Sequence, residues 1–240
     1  MPKDKIFAKK RPVSDFNFGK ETATVFDDML IRSVPFYPEI QRMMGEIAGE
    51  FGVPGTNIYD LGCSTCSTFI ALDPLVAKGV RFVGVDSSQE MLDRGRKKCA
   101  EYRVTHDVKL VRADLNQGVK ISNASMAILN LTLQFVRPLH RHKLIRSIAD
   151  GLKEDGCLVL VEKVLSKDST LNRFFIKYYH TFKERNGYSR MEISRKREAL
   201  ENVLIPYRVE ENRELLLNNG FSCCEIFFKW YNFCGLIAVK

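Results

Sequence analysis

The stretch Tyr59-Asp60-Leu61-Gly62-Cys63-Ser64 reads as a short apolar strand running into a tight turn, with a helix-forming segment behind it. A second apolar run, Arg81-Phe82-Val83-Gly84-Val85, ends in Asp86. A strand that stops at a glycine turn, beside one that stops at an acid, is the layout of a nucleoside pocket in a doubly wound sheet. The glycine lets the backbone approach the ligand, and the acid accepts hydrogen bonds from ribose hydroxyls. The glycine count narrows the ligand. A dinucleotide site needs G-x-G-x-x-G to seat a pyrophosphate on a helix N-terminus, whereas Gly62 stands alone before Cys63, Ser64, Thr65 and Cys66. Such a loop suits an uncharged linker, and S-adenosylmethionine is the adenosyl ligand without phosphates. A lone strand-to-glycine turn occurs in any α/β protein, so the pairing of Gly62 with Asp86 carries the reading.

Outward from this pair, apolar runs and helical patterns alternate. Strands are expected over 108–111, 126–129 (ending at Asn130) and 157–161, with a hairpin of 225–230 and 233–239. Helices are expected over 89–102, over 139–152 with its stop at Gly156, and over 209–217 before Gly220; Ser88 and Gly220 are suitable helix punctuation. The alternation implies a mostly parallel sheet covered by helices on both faces, with one strand reversed by the hairpin. Residues 1–20 are polar and basic and read as a loosely held arm. Residues 21–52 read as two helices broken at Ser33-Val34-Pro35 that cap the pocket end of the sheet. Residues 166–203 read as a charged helical insertion interrupted at Asn186-Gly187, suited to substrate specificity or a subunit contact.

Composition fits one domain of 240 residues, with no apolar run of membrane-spanning length and no secretory leader. The expected parts are an arm and cap helices (1–52), a nucleoside-binding core (53–165), a helical insertion (166–205), and a closing helix and hairpin (206–240). Seven cysteines, several inside apolar runs, read as reduced thiols of a cytoplasmic protein. The net charge of +8 is scattered over Lys9-Lys10-Arg11, 94–98, 137–143 and Arg195-Lys196-Arg197, without an aromatic-interleaved stripe. Direct nucleic-acid contact is therefore a minor reading. The pair Cys63-x-x-Cys66 lacks a second cysteine pair or a close histidine pair, which argues against zinc or redox chemistry. Arg197 lies in a dense basic helix whose plain reading is a solvated face.

Several longer motifs extend the pattern: Arg32-Ser33-Val34-Pro35-Phe36-Tyr37, Val53-Pro54-Gly55-Thr56, Leu129-Asn130-Leu131-Thr132-Leu133-Gln134-Phe135, Phe182-Lys183-Glu184-Arg185-Asn186-Gly187-Tyr188-Ser189 and Leu200-Glu201-Asn202-Val203. On these the chain resembles the bacterial carboxy-S-adenosyl-L-methionine synthases, which have the Rossmann-like class I methyltransferase fold. The resemblance runs nearly end to end. It implies that S-adenosylmethionine and prephenate are the substrates, carboxy-S-adenosylmethionine and phenylpyruvate the products, and wobble-uridine modification of tRNA the use. It also implies a homodimer, with no metal, no membrane and no direct nucleic acid.

By the same resemblance, Tyr37 stands at the pocket mouth and Gly62, Cys63 and Ser64 form the turn under the methionine part. Asp86 and Ser87 bind the ribose, Asp114 and Leu115 the adenine end, and Asn130 follows the fourth strand. Arg197 holds the added carboxylate; a guanidinium grips a carboxylate in two-pronged fashion where an ammonium cannot. Where the family commonly continues Gly-Cys-Ser with a glycine-containing stretch, this chain has Thr65-Cys66-Ser67-Thr68, so Cys66 is expected to narrow the methionine end. The rival readings are an ordinary methyltransferase, which needs the same adenosyl pocket but no Arg197, and a non-catalytic binding protein.

Overall fold

Strand β1 (Asn57–Leu61) is flanked by β2 (Arg81–Asp86) and β4 (Ala124–Asn130), and β3 (Asp107–Arg112) lies beyond β2. On the other side come β5 (Leu152–Lys163), β7 (Phe233–Val239) and β6 (Cys223–Trp230), giving the order β3-β2-β1-β4-β5-β7-β6. β1 to β5 are parallel, and β7 alone runs the other way. The computed structural model describes residues 2–8, 12 and 14–240, so the Lys9-Lys10-Arg11 cluster lies outside the described residues.

The strands sort their side chains by pleat. Ile58, Phe82, Met126 and Ile128 join one buried cluster under α2 (Tyr37–Phe51), α3 (Ser67–Leu72) and α4 (Gln89–Glu101). Tyr59, Leu61, Ala127 and Leu129 join another under α5 (Pro138–Gly151) and α8 (Val209–Leu217). Central strands buried on both sides are what a parallel sheet requires. α4 starts where expected, with the Ser88 hydroxyl accepting the Met91 N–H at 3.2 Å. α1 (Lys20–Ser33) and α2 break at Val34-Pro35-Phe36, and the insertion forms α6 (Ser169–Arg185) and α7 (Arg190–Leu200) around Asn186-Gly187.

Two expectations are corrected. The fifth helix stops at Gly151, not Gly156, and β5 begins at once with Leu152. Gly151 packs so tightly that a Cβ there would lie 2.5 Å from Ile121, which fixes the stop. The described part of residues 1–20 is also not loosely held. Asp4 is buried, accepts the Tyr188 hydroxyl at 2.6 Å and gives its carbonyl to Arg32. Phe16 donates its N–H to the Ala199 carbonyl at 2.9 Å, and the Phe18 ring meets Phe26 and Phe135 edge-on. Apolar rings spaced through a polar sequence anchor the segment.

Candidate functional site

The C-terminal ends of β1, β2, β4 and β5 open into a cavity of about 360 Å³, roofed by Phe16, Phe18 and α1. A crevice at these strand ends is where doubly wound sheets place ligands. Gly62 turns the chain out of β1 with φ 83°, and its N–H and that of Cys63 both donate to the Val85 carbonyl, at 2.7 and 3.1 Å. A Cβ on Gly62 would sit 2.4 Å from the Thr132 hydroxyl, so no other residue fits. The turn is thereby locked between β2 and the loop after β4.

Asp86 ends β2. One carboxylate oxygen accepts the Ser64 N–H at 3.0 Å and the other the Ser88 N–H at 2.9 Å. Each oxygen keeps a further lone pair. Burial pushes the Asp86 carboxyl above its ordinary range, against the pull of the Ser88, Ser64 and Ser87 N–H groups. Next along the wall, Asp114 accepts the Asn116 N–H at 2.9 Å, and Leu115 is buried beneath. Asn130 ends β4 with its side-chain oxygen buried and without a partner among the described residues. Asp60 lines the same space, and neither of its oxygens has a hydrogen-bond partner among the described residues. Burial pushes Asp60 up to about 7, partly offset by the nearby Thr68 hydroxyl and reinforced by the Asp86 charge.

The loop after β4 is fixed from below. Glu162 of β5 is buried and accepts the Leu133 and Gln134 N–H groups, both at 2.9 Å. Burial pushes its carboxyl up to about 8, while the Arg141 guanidinium and these N–H groups pull it down. Tyr37 is buried at the start of α2, and its hydroxyl accepts from Gln41 at 2.6 Å.

Of the residues named from sequence, Tyr37, Gly62, Cys63, Ser64, Asp86, Ser87, Asp114, Leu115 and Asn130 line this one cavity. Arg197 does not. It is exposed on α7, and the residue of that helix reaching the cavity is Lys196. Cys66 is also placed differently from expectation: it is fully buried, packs its sulfur against Gly95, and does not narrow the cavity. Its φ of 59° is the left-handed conformation that a glycine adopts freely. Sequence reasoning missed Phe16, Phe18, Asp60 as an unpaired acid, Lys163, Tyr179 and Lys196. Only Asp60 carried a signal, as a charged residue in an otherwise apolar strand.

Residues 58–156 match the family model described as a methyltransferase domain. Along its whole length the chain is 57% identical to a carboxy-S-adenosyl-L-methionine synthase of Methylococcus capsulatus, with 100% of both chains covered. It is 46% identical to the enzyme of that name from Sulfurimonas denitrificans, with 99% of each covered. Among solved structures, a candidate S-adenosyl-L-methionine-dependent methyltransferase of Methanococcus maripaludis superposes with a TM-score of 0.63 at 20% identity, covering 96% of this chain and 97% of that one. The fold is thus that of the methyltransferases.

Proposed function

The chain belongs to the carboxy-S-adenosyl-L-methionine synthase family, and on that footing we propose that it joins the methyl carbon of S-adenosylmethionine to a carboxyl group taken from prephenate. The methyl group loses one proton, which leaves with the ring hydroxyl of prephenate as water; the ring carboxyl passes to the methyl carbon, and the aromatised remainder leaves as phenylpyruvate. The product then serves, in a cytoplasmic pathway, to build the 5-oxyacetyl group on the wobble uridine of tRNA, so no direct nucleic-acid contact is needed here. The observation that carries this reading is the full-length similarity at 57% identity. The mass of the nucleoside that co-purifies tests it: carboxy-S-adenosylmethionine supports the reading, and S-adenosylhomocysteine alone, with a methylated acceptor, favours an ordinary methyltransferase.

The cavity suits an adenosyl sulfonium. Its lining offers the free lone pairs of Asp86 for hydroxyls, the unpartnered Asn130 oxygen for an N–H, and the unpaired Asp60 for a cation. Among the described residues that line the cavity around the Gly62 turn none is basic, which fits a ligand without phosphates. S-adenosylmethionine brings a methyl group activated by its sulfonium; the chain's part is to orient it and exclude water.

Asp60 yields a prediction with two opposite signs. Its pKa in the folded protein is raised, so the stability it contributes is present at acid pH and lost as pH rises through about 7. At pH 8 the empty protein holds an unpaired buried carboxylate. Asp60→Asn should therefore raise the melting temperature of the empty protein at pH 8, yet weaken S-adenosylmethionine by about tenfold or more, because the cation loses its counter-charge. A variant that melts lower and binds as well as wild type would remove Asp60 from both roles.

The homodimer is proposed through α6, where Leu171, Phe174 and Tyr178 stand exposed at helical spacing with the Tyr231 ring 5.1 Å from Tyr178. Arg197 lies outside the cavity of its own chain, so its carboxylate-holding role is assigned to the site of the second subunit. Mixing inactive Asp86→Ala and Arg197→Ala subunits should then restore activity that neither has alone. No recovery from verified mixed dimers would end the cross-subunit assignment.

A further inference from the structure

The cavity is electrically lopsided. Asp86 stands at the end of β2, whereas Lys163 closes β5, which in the sheet lies across β1 and β4. Three strand spacings separate the two ends, about 14 Å. Asp60 and Asn130 lie between them. Around Lys163 gather Lys196 from α7 and Lys183 from α6. Lys163 and Lys196 line the cavity, and Lys183 is buried behind the Tyr179 ring, which also lines it. The ammonium of Lys183 stands 4.3 Å from the centre of that ring and that of Lys163 stands 5.0 Å away. Lys196 donates to the Ser33 hydroxyl at 3.2 Å.

No ion pair among the described residues involves any of the three. The carboxylates nearby are already engaged. Asp4, which attracts Lys196, accepts the Tyr188 hydroxyl and the Ile6 N–H. Glu162 accepts its two backbone N–H groups from the loop after β4, and Glu184 pairs with Arg190. Burial lowers Lys163 to about 8 and Lys196 to about 8; it lowers Lys183 to about 7 with help from Lys163, Lys196 and Arg197. His180, beside them, is held neutral, down to about 4, by burial and by the charges of Lys183, Lys163 and Arg197. Three ammonium groups drawn together, one buried and two half-buried on the cavity wall, with only Asp4 near enough to offset one of them, are a poor way to stabilise a fold. They are a good way to receive an anion.

We propose that Lys163 and Lys196, backed by Lys183 across the Tyr179 ring, form an anion subsite that holds the carboxylate groups of the acid co-substrate. The subsite selects organic acids over neutral or cationic acceptors of the same shape. It takes the identity of that acid from the reaction proposed above, and its position, three strands from Asp86, sets the acid at the opposite end from the ribose-binding carboxylate. Two convergent ammonium groups suit a diacid better than a monoacid.

The test measures binding of phenylpyruvate and of its neutral methyl ester to the S-adenosylmethionine-loaded protein by calorimetry, with the KM for prephenate alongside. Wild type should prefer the acid over the ester by about tenfold or more, the scale of one desolvated charge pair. Lys163→Met and Lys196→Met should each lose most of that preference and raise the KM for prephenate about tenfold, while affinity for S-adenosylmethionine moves less than about twofold. Lys163→Arg should retain the preference, because it keeps the charge. Melting curves for the methionine variants should be no lower than wild type, since each removes a like-charge repulsion. Equal binding of acid and ester by wild type would overturn the subsite. So would a preference that survives in both methionine variants, or equal losses for the acid and for S-adenosylmethionine. A wild type that shows the lysine-dependent preference but makes no carboxylated nucleoside from prephenate would sink the proposed reaction and keep the subsite. A wild type that makes the product, with KM unmoved in the variants, would do the reverse.

Discussion

Asp86→Ala should cut affinity for S-adenosylmethionine about a hundredfold or more while leaving the protein folded. The carboxylate already accepts the Ser64 and Ser88 N–H groups, so it is aimed before any ligand arrives. Its remaining lone pairs are those proposed for the two ribose hydroxyls. Hydrogen bonds to a charged acceptor contribute about 1.5–3 kcal/mol each, and two of them account for the expected loss. Asp86→Asn keeps one acceptor oxygen and should fall between. Calorimetry on a variant with an unchanged circular dichroism spectrum decides it; wild-type affinity in such a variant would take Asp86 out of the site.

Glu162→Ala should be the most destabilising single change near the cavity. Its carboxyl group is buried and accepts the Leu133 and Gln134 N–H groups, and with Glu211 it is one of the acids that attract buried Arg141. Removing it strands two buried donors at about 1–3 kcal/mol each and takes away one of the acids beside a buried guanidinium. The sum, about 3–5 kcal/mol, corresponds to a melting temperature lower by roughly 10 °C or more in a chain of this size. Glu162→Gln keeps an acceptor and should lose much less. Thermal unfolding of the two variants checks this, and a small, equal loss in both would mean that the loop after β4 is held by other contacts. The loop supplies Leu131, Thr132, Gln134 and Phe135 to the cavity, so Glu162→Ala should also weaken ligand binding.

The sheet and the strand-end residues were legible because they follow local rules. Gly62, Asp86 and Asn130 each sit where an apolar run stops, and the stops of parallel strands share one edge of the sheet. The helix boundary at Gly151 was not legible. Residues 152–155 look polar and turn-like, yet they belong to β5, and Asp155 takes a φ of 59° within it. The other half of the cavity was hidden for a different reason. Phe16 and Phe18 come from a segment without periodicity, and Lys163, Tyr179 and Lys196 come from three separate elements that only the tertiary fold brings together. On α7 the difference between Lys196 and Arg197 is one residue, a rotation of about 100°. Sequence alone does not fix which of two adjacent basic residues turns inward when both neighbours on the helix are charged.

The central claim is that this chain adds a carboxyl group to the methyl carbon of S-adenosylmethionine. Purified protein, stripped of bound nucleoside and incubated with S-adenosylmethionine and prephenate, should release phenylpyruvate together with a nucleoside heavier than S-adenosylmethionine by one carbon dioxide. Label placed in the ring carboxyl of prephenate should appear in that nucleoside. Phenylpyruvate at the uncatalysed rate, with S-adenosylmethionine recovered unchanged, would contradict it.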